Sequence, residues 1–313
     1  MSGPTAGPGV SVAHPGSDLP GWLPDAVEAA GGRLVAPGPE TEGLLWFGGD
    51  LAVLRSALAS APGTRWVQLP SAGVDAYADA GLLEAPGITW TSAKGSFARP
   101  VAEHALALTL ATLRHLPERA RARSWGRSAG TSLFGADVLV LGAGGIARTY
   151  LDLLAPFGTR TVVVRRRAEP VPGAERTVTT DHLAAELARA DVVMVAAALT
   201  TQTRALLGAD ELAAMKPGAV LVNIARGGLV DTDALVAALA SGRLGGAALD
   251  VTDPEPLPDG HPLWDLPTAL ITPHTADTPE MVAPLLRARV EENLRRFVAG
   301  EPLDAVVDPA TGY

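Results

Sequence analysis

Three segments of the chain carry residues able to do acid–base work on a carbonyl compound: VNIARGGLVD holds Arg226, ALDVTDPEPLP holds Asp250 and Glu255, and LITPHTA holds His274. Each follows a short apolar run with the pattern of a strand. Hydride transfer asks little of the protein itself, because the cofactor carries the chemistry. A 2-keto acid still needs a cation for its carboxylate and carbonyl oxygens, and an acid to protonate the alkoxide that forms. Arg226 offers the first, since its planar fork matches two oxygens at once. His274 offers the second, histidine being the side chain that exchanges a proton near neutral pH. Glu255 can hydrogen-bond His274, fixing its orientation and favouring its charged form. Pro254 and Pro256 stiffen the loop that carries Glu255. Taken singly each residue is more often structural than catalytic; taken together, in order at strand ends, they point to one catalytic constellation.

A fourth segment, VLVLGAGGIARTYL, reads strand, glycine turn, helix. Its GxGxxA pattern has Gly142 for the tight turn and Gly144 for close approach of backbone to a pyrophosphate. Ala147 in the last place allows close helix–strand packing. The helix opening at Gly145 and Ile146 presents free N–H groups and a positive dipole end to an anion. In dinucleotide sites a carboxylate about twenty residues past the glycines binds the ribose 2′-hydroxyl. Here Arg165 lies 23 residues past Gly142, followed by Arg166 and Arg167, and the nearby acid is Glu169. A guanidinium at that place suits a 2′-phosphate. The expected cofactor is therefore NADP(H) in preference to NAD(H), with Arg165 and Arg166 as its cationic contacts.

These residues need a scaffold that brings distant segments together. Apolar runs alternate with helical patterns along almost the whole chain, which predicts parallel sheets covered on both faces. In the first third the expected strands are Val10–Ala13, Arg33–Val35, Leu44–Phe47, Trp66–Leu69 and Ile88–Thr91, with helices at Leu23–Ala30 and Leu51–Ser60. Pro100 starts a strongly apolar helix, VAEHALALTLATLRHL, read as a buried helix joining two domains. Beyond it the expected strands are Val138–Leu141, Thr161–Val164, Val192–Ala196, Ala219–Asn223, Ala247–Leu249 and Ala269–Ile271. Helices fit near Ile146–Leu154, Asp181–Ala188, Ala209–Ala214 and Asp231–Leu239, and a last helix at Met281–Phe297. In open α/β sheets ligands bind beyond the carboxyl ends of the strands. Gly142, Arg165, Arg226, Asp250 and His274 all fall at or just past such ends.

Composition narrows the classes. Of the 313 residues 47% are hydrophobic, enough for the core of two domains. A net charge of −9 argues against extended nucleic acid, whose binding needs phosphates neutralised by Lys and Arg. The sequence has no cysteine, which excludes disulfides, thiolate nucleophiles and Cys metal sites. No His, Asp and Glu cluster has metal-ligand spacing, so no metal is expected. No apolar run is long enough to span a membrane, and the N-terminal segment lacks the pattern of a signal peptide. The first nine residues read as a loose tail, and a cytoplasmic protein is expected. The basic stretch Arg114, Arg119, Arg121, Arg123 and Arg127 reads as a solvated helix face.

At this point the residues resemble a known family, the D-isomer-specific 2-hydroxyacid dehydrogenases. The resemblance rests on Gly142–Ala147, Asn223–Asp231, Ala248–Val251 with Asp253–Pro256, and Thr272–Thr275. Leu69–Asp75 and Val101–Ala105 add to it. It implies a flavodoxin-like substrate domain, residues 1–98 with 280–313, and a Rossmann-type NAD(P)-binding domain, residues 99–279, with a cleft between them. It implies Arg226, Glu255 and His274 as the catalytic set, with Asp250 receiving the nicotinamide carboxamide. Thr200 and Ala225 join Gly142, Gly144, Gly145 and Ile146 in the implied cofactor site. It implies that the backbone N–H groups of Ala72 and Gly73 hold the substrate carboxylate; Trp46 is a candidate for the pocket wall, with a core tryptophan as the somewhat favoured alternative. Glu103 and His104 are given to packing and interdomain hydrogen bonding. The basic turn after the second strand is similar to that of NADPH-using glyoxylate and hydroxypyruvate reductases, and a homodimer is implied. The competing expectations are a formate- or phosphite-type dehydrogenase of the same family and a nicotinamide-sensing, corepressor-like binding protein.

Overall fold

The computed structural model describes residues 11–15 and 19–308. The segment expected as a loose N-terminal tail, and Val10 of the first expected strand, lie outside the described residues. The chain divides into two compact units, one of Met1–Phe97 with Pro279–Tyr313 and one of Ala98–Thr278.

In the first unit β1 (Ser11–Ala13), β2 (Arg33–Val35), β3 (Gly43–Leu45), β4 (Trp66–Gln68) and β5 (Thr89–Thr91) form a parallel sheet in the order β2-β1-β3-β4-β5. That is the flavodoxin-like doubly wound order. Successive residues of a strand point to opposite faces, and here both faces are buried. Leu44 and Val67 pack on one face with Trp46, Leu54 and Trp90, while Leu45 and Trp66 pack on the other with Val12. Helices α1 (Leu23–Ala29), α2 (Leu51–Ser60) and α3 (Asp75–Asp79) follow β1, β3 and β4. Asp50 caps α2 by accepting from the Ala52 N–H. The C-terminal helix, Pro279–Ala299, starts earlier and ends later than its apolar pattern suggested. It lays Val290, Leu294 and Phe297 on the second face of this sheet, and its buried Asn293 donates to Gln68 Oε1 at 2.8 Å.

Of the two expectations for Trp46, the structure favours the core. As a candidate for the pocket wall it ought to offer a ring face to solvent, but it is 1% exposed. It belongs to the same buried cluster as Leu44, Leu54, Leu69 and Tyr77. The large apolar ring is a packing element of the first unit's core.

In the second unit β6 (Asp137–Leu141), β7 (Arg160–Val164), β8 (Arg176–Val178), β9 (Val192–Val195), β10 (Val220–Asn223), β11 (Gly246–Leu249) and β12 (Ala269–Ile271) form a seven-stranded parallel sheet. Its order is β12-β11-β10-β9-β6-β7-β8, which reverses between β6 and β9 as in a Rossmann fold. Sequence reading missed β8, a three-residue edge strand whose Arg176 is exposed and whose Thr177 and Val178 are only half-buried. Helices α4 (Ala98–Leu113), α5 (Leu116–Arg121), α6 (Gly145–Leu154), α7 (Leu183–Leu187), α8 (Ala209–Ala214) and α9 (Thr232–Ala240) surround the sheet or extend from it.

Helix α4 begins two residues before Pro100, so the proline sits inside the first turn and not at its start. The first four N–H groups of a helix have no intrahelical partner, so the proline breaks no bond there. The helix belongs to the second unit and packs on it closely. Thr109 Oγ1 lies 2.7 Å from the Tyr150 hydroxyl of α6. A Cβ on Gly246 of β11 would stand 2.6 Å from Thr112 Cγ2, so glycine there sets how near α4 approaches. Of the arginines of the basic stretch, Arg114 is exposed in the turn before α5, Arg119 is half-buried and Arg121 exposed on α5, and Arg123 and Arg127 are exposed in the coil after it. Among the described residues no helix is long and apolar enough to cross a membrane.

Candidate active site

Three neighbouring strands of the second sheet end level with one another. Asn223 of β10 pairs with Leu249 of β11, and Leu249 pairs with Ile271 of β12. Arg226, Asp250 and His274 therefore leave the same edge of the sheet within a few residues of their strands.

The Arg226 loop is braced from below. Asn223, 1% exposed, donates from Nδ2 to the Arg226 carbonyl at 3.0 Å and accepts from the Ala225 N–H at 3.1 Å. Arg226 Nη1 donates to the Ala225 carbonyl at 2.7 Å. Behind the arginine, a Cβ on Gly227 would lie 1.9 Å from the Thr252 carbonyl oxygen. Only glycine lets the Arg226 loop lie against the start of the loop that carries Glu255. Sequence reading missed Asn223 and Gly227 as site residues. Their signal was present: an amide ending a strand and a glycine pair beside the arginine are the residue types that fix tight loops.

The structure brings His274 and Glu255 together. His274 Nδ1 lies 2.6 Å from Glu255 Oε1, with both side chains about half exposed. The Glu255 Oε2 atom accepts from the Thr252 N–H at 3.4 Å. His274 has a backbone φ of 49°, the left-handed region that costs a non-glycine residue roughly 1–2 kcal/mol. It is held there by its own N–H, which donates to the Asp250 carbonyl at 2.8 Å and the Thr272 carbonyl at 3.0 Å.

Asp250 has a part that sequence reading did not assign. Its carboxylate is 1% exposed. Oδ1 accepts from Thr272 Oγ1 at 2.6 Å and the Thr275 N–H at 2.9 Å, and Oδ2 accepts from the Ala276 N–H at 3.0 Å. This one carboxylate holds the Thr272 side chain before His274 and the backbone N–H groups of Thr275 and Ala276 after it. Burial pushes its pKa up, but hydrogen bonds from His104, Thr272, Thr275 and Ala276 prevail and hold it at about 2. A carboxyl group depressed in the folded state adds stability above its ordinary pKa and loses it as pH falls through the folded value. Wild type is therefore expected to exceed Asp250→Asn in unfolding free energy above pH 3.8, and to lose that margin down to about pH 2. Denaturant titrations across that range check this; a margin constant with pH would show that the charge contributes nothing. Asp277 lies near the same pair, and burial raises its pKa against the opposing pull of His274.

The glycine turn after β6 fits a dinucleotide. Gly142 has φ +107°, and a Cβ there would meet the Ala196 carbonyl oxygen at 2.5 Å. Gly144 caps α6 in extended conformation with no side-chain partner, and Ala147 is fully buried against the sheet. Gly145 is exposed and Ile146 half-buried in the first turn of α6. The Thr200 N–H donates to Thr203 Oγ1 at 2.7 Å in the turn beyond β9. Arg165 follows β7 directly and is half-buried, with Nη2 3.5 Å from Glu169 Oε2, while Arg166 is exposed. Glu169 thus reaches back toward the arginines.

In the first unit the turn Ser71–Gly73 follows β4, and Ala72 and Gly73 are half-buried. Ser71 Oγ donates to the Gly73 carbonyl at 2.6 Å, and the Ala93 N–H after β5 donates to the Ser71 carbonyl at 2.9 Å. Among the described residues no group of three or more His, Asp or Glu side chains is placed to hold a metal ion.

Residues 106–276 match the family described as D-isomer specific 2-hydroxyacid dehydrogenase, NAD binding domain. The chain is 40% identical over 255 residues to an "uncharacterized protein in proB 3'region" of Corynebacterium melassecola, covering 80% of this chain and 84% of that protein. It is 34% identical over 277 residues to glyoxylate/hydroxypyruvate reductase B of Pectobacterium carotovorum, covering 86% of each. It matches D-3-phosphoglycerate dehydrogenase of Mycobacterium tuberculosis at 34% identity, over 90% of this chain but only 53% of that longer protein. Among solved structures, a D-isomer specific 2-hydroxyacid dehydrogenase of Xanthobacter autotrophicus in complex with NADPH and MES superposes with a TM-score of 0.82. Their identity is 30%, with 98% of this chain and 100% of that one covered.

Proposed function

We propose, on the premise that this chain belongs to the family of D-isomer specific 2-hydroxyacid dehydrogenases, that it uses NADPH to reduce a small 2-keto acid of the glyoxylate or hydroxypyruvate kind to the D-2-hydroxy acid. The observation that carries this reading is the 2.6 Å bond between His274 and Glu255, on the sheet edge that also releases Arg226. The similarity to a glyoxylate/hydroxypyruvate reductase and to an NADPH-bound structure supports the substrate and cofactor.

The nicotinamide, when bound, supplies the hydride. Arg226 pairs its guanidinium with the carboxylate and carbonyl oxygens of the keto acid, holding the carbonyl polarised. His274 gives a proton from Nε2 to that carbonyl oxygen. Glu255, 2.6 Å from Nδ1, keeps the ring oriented for that transfer. In the reverse direction the same nitrogen takes the hydroxyl proton. Gly142 and the first turn of α6 would cradle the pyrophosphate, and Asp250 would receive the carboxamide. The reading gives the substrate carboxylate to the N–H groups of Ala72 and Gly73. It also includes a homodimer in the cytoplasm; Leu116, Phe134 and the 99% exposed Trp125 of the second unit support self-association.

Initial rates with NADPH and NADH in parallel test the reading, on glyoxylate, hydroxypyruvate, pyruvate and an aromatic 2-keto acid. The expected result is strong NADPH preference on a small acid. Arg165→Ser is expected to raise the KM for NADPH about tenfold or more, because a hydrogen bond to a charged group contributes roughly 1.5–3 kcal/mol, and to leave NADH nearly unchanged. Preference for NADH in the wild type would refute the role of Arg165 while keeping the enzyme class. No oxidation of either cofactor would refute the reductase.

A further inference from the structure

The segment Thr272–Ala276 lies between two histidine–carboxylate pairs. On one side are His274 and Glu255, already given roles. On the other are His104, on α4, and Asp250. His104 Nε2 lies 3.1 Å from Thr272 Oγ1 and 3.5 Å from Asp250 Oδ1.

The protons in this chain of contacts are countable. A threonine hydroxyl has one proton to donate. Thr272 gives it to Asp250 Oδ1 at 2.6 Å, because an ionised carboxylate only accepts. The bond between Thr272 and His104 must then run the other way, with His104 Nε2 donating to the hydroxyl oxygen. His104 Nε2–H, Thr272 Oγ1–H and the Asp250 carboxylate form a directed series, and its acceptor is the group that holds the N–H groups of Thr275 and Ala276. The same residue's carbonyl holds the N–H of His274, whose backbone is in the left-handed region.

We infer that His104 is a positioning residue for the reaction assigned to His274, acting through Thr272 and the Asp250 carboxylate. This rests on the reductase reading given above. His104 touches neither the reacting atoms nor the His274 ring. Its side chain is 22% exposed, so it is partly withdrawn from water, and its donor is aimed into the site. Removing the donor leaves Thr272 held only from the Asp250 side and takes one of the donors that support the carboxylate. The His274 backbone then relaxes toward an unstrained conformation, taking the imidazole off its line. A proton donor misplaced in this way acts less well in the transition state, while the cation that binds the ground-state carboxylate is untouched. The loss therefore appears in kcat and not in KM.

Two substitutions separate hydrogen bonding from packing. His104→Leu fills the space without a donor. His104→Gln places an amide N–H near the position of Nε2. With the best keto acid and saturating NADPH, His104→Leu is expected to lower kcat about tenfold with KM within twofold of wild type. His104→Gln is expected to recover most of it. Thr272→Val is expected to reproduce the loss, and the double variant His104→Leu/Thr272→Val to be no worse than either single one. Wild-type kcat in His104→Leu, equal impairment in His104→Gln, or losses that multiply in the double variant would each overturn the inference. A second readout needs no turnover. In the nucleotide-free protein the NMR signals of the His274 ring are expected to shift in His104→Leu and return in His104→Gln. If the wild type reduces no keto acid, the reductase reading fails, and the linkage still stands or falls on that shift.

Discussion

His274→Ala is expected to lower kcat for reduction of the best 2-keto acid by about 10²–10⁴-fold, the usual contribution of a positioned general acid. Without the imidazole, the oxygen that accepts charge during reduction has only Arg226 and solvent to stabilise it. Glu255 does not take over, since it contacts Nδ1, the side of the ring opposite the nitrogen assigned to the substrate. Cofactor binding is expected to stay within a few-fold, because the residues assigned to the dinucleotide lie on other strands. Glu255→Gln makes the intermediate case. An amide still contacts Nδ1 but no longer stabilises the charged ring. Its loss is expected to be smaller than that of His274→Ala. Stopped-flow rates of NADPH consumption, with the chemical step resolved from product release, measure both variants. Near-normal turnover in His274→Ala, with the fold intact, would remove His274 from the proton-donor role.

Gly227→Ala is expected to have an effect of comparable size although residue 227 has no chemistry of its own. The added Cβ would sit 1.9 Å from the Thr252 carbonyl oxygen, 2.0 Å from its carbonyl carbon and 2.5 Å from the Asp253 nitrogen. All three are backbone atoms, so no side chain can swing away. Relief requires the Arg226 loop and the Glu255 loop to separate by more than an ångström. Overpacking of this kind costs roughly 1–3 kcal/mol in stability, and a 1 Å misplacement of catalytic groups costs about 10²-fold in rate. The expected outcome is a lower melting temperature together with a kcat reduced about a hundredfold. The neighbouring Gly228→Ala is the control. Its Cβ would meet no atom nearer than 3.2 Å, and that atom is the mobile end of Arg204. If both alanine variants behaved alike, the close approach at Gly227 would not be what positions Arg226.

Much of the candidate site was legible because its residues are read by type and order. A strand, GAGGIA and a helix announce a phosphate turn wherever they fold. Arg226, Glu255 and His274 sit in loops whose flanking apolar runs mark the strand ends. The parallel two-sheet architecture followed from the alternation of those runs with helical patterns, and the family from the motifs in sequence. What misled were residues whose meaning depends on surroundings. Trp46 lies at a strand end like Arg226, Asp250 and His274, but it is buried in the core, and nothing in its own segment distinguishes the two directions. The strand β8 has too few apolar residues to appear as a run, because an edge strand buries little.

The sequence by itself determined the chemistry available, the glycine turn and the strand edge from which Arg226, Asp250 and His274 leave, since these depend on residue type and local period. Only the tertiary structure decided that Asp250 anchors the His274 loop, that Gly227 is squeezed against Thr252, and that His104 stands behind Thr272. His104 and Thr272 are separated by 168 residues, and whether two such polar groups meet is set by how α4 packs on the sheet. That packing depends on shape, on the small Gly246 beneath Thr112, and on the burial of a whole helix face. No local pattern encodes it, because each contact is made by atoms whose neighbours in space are not their neighbours in the chain.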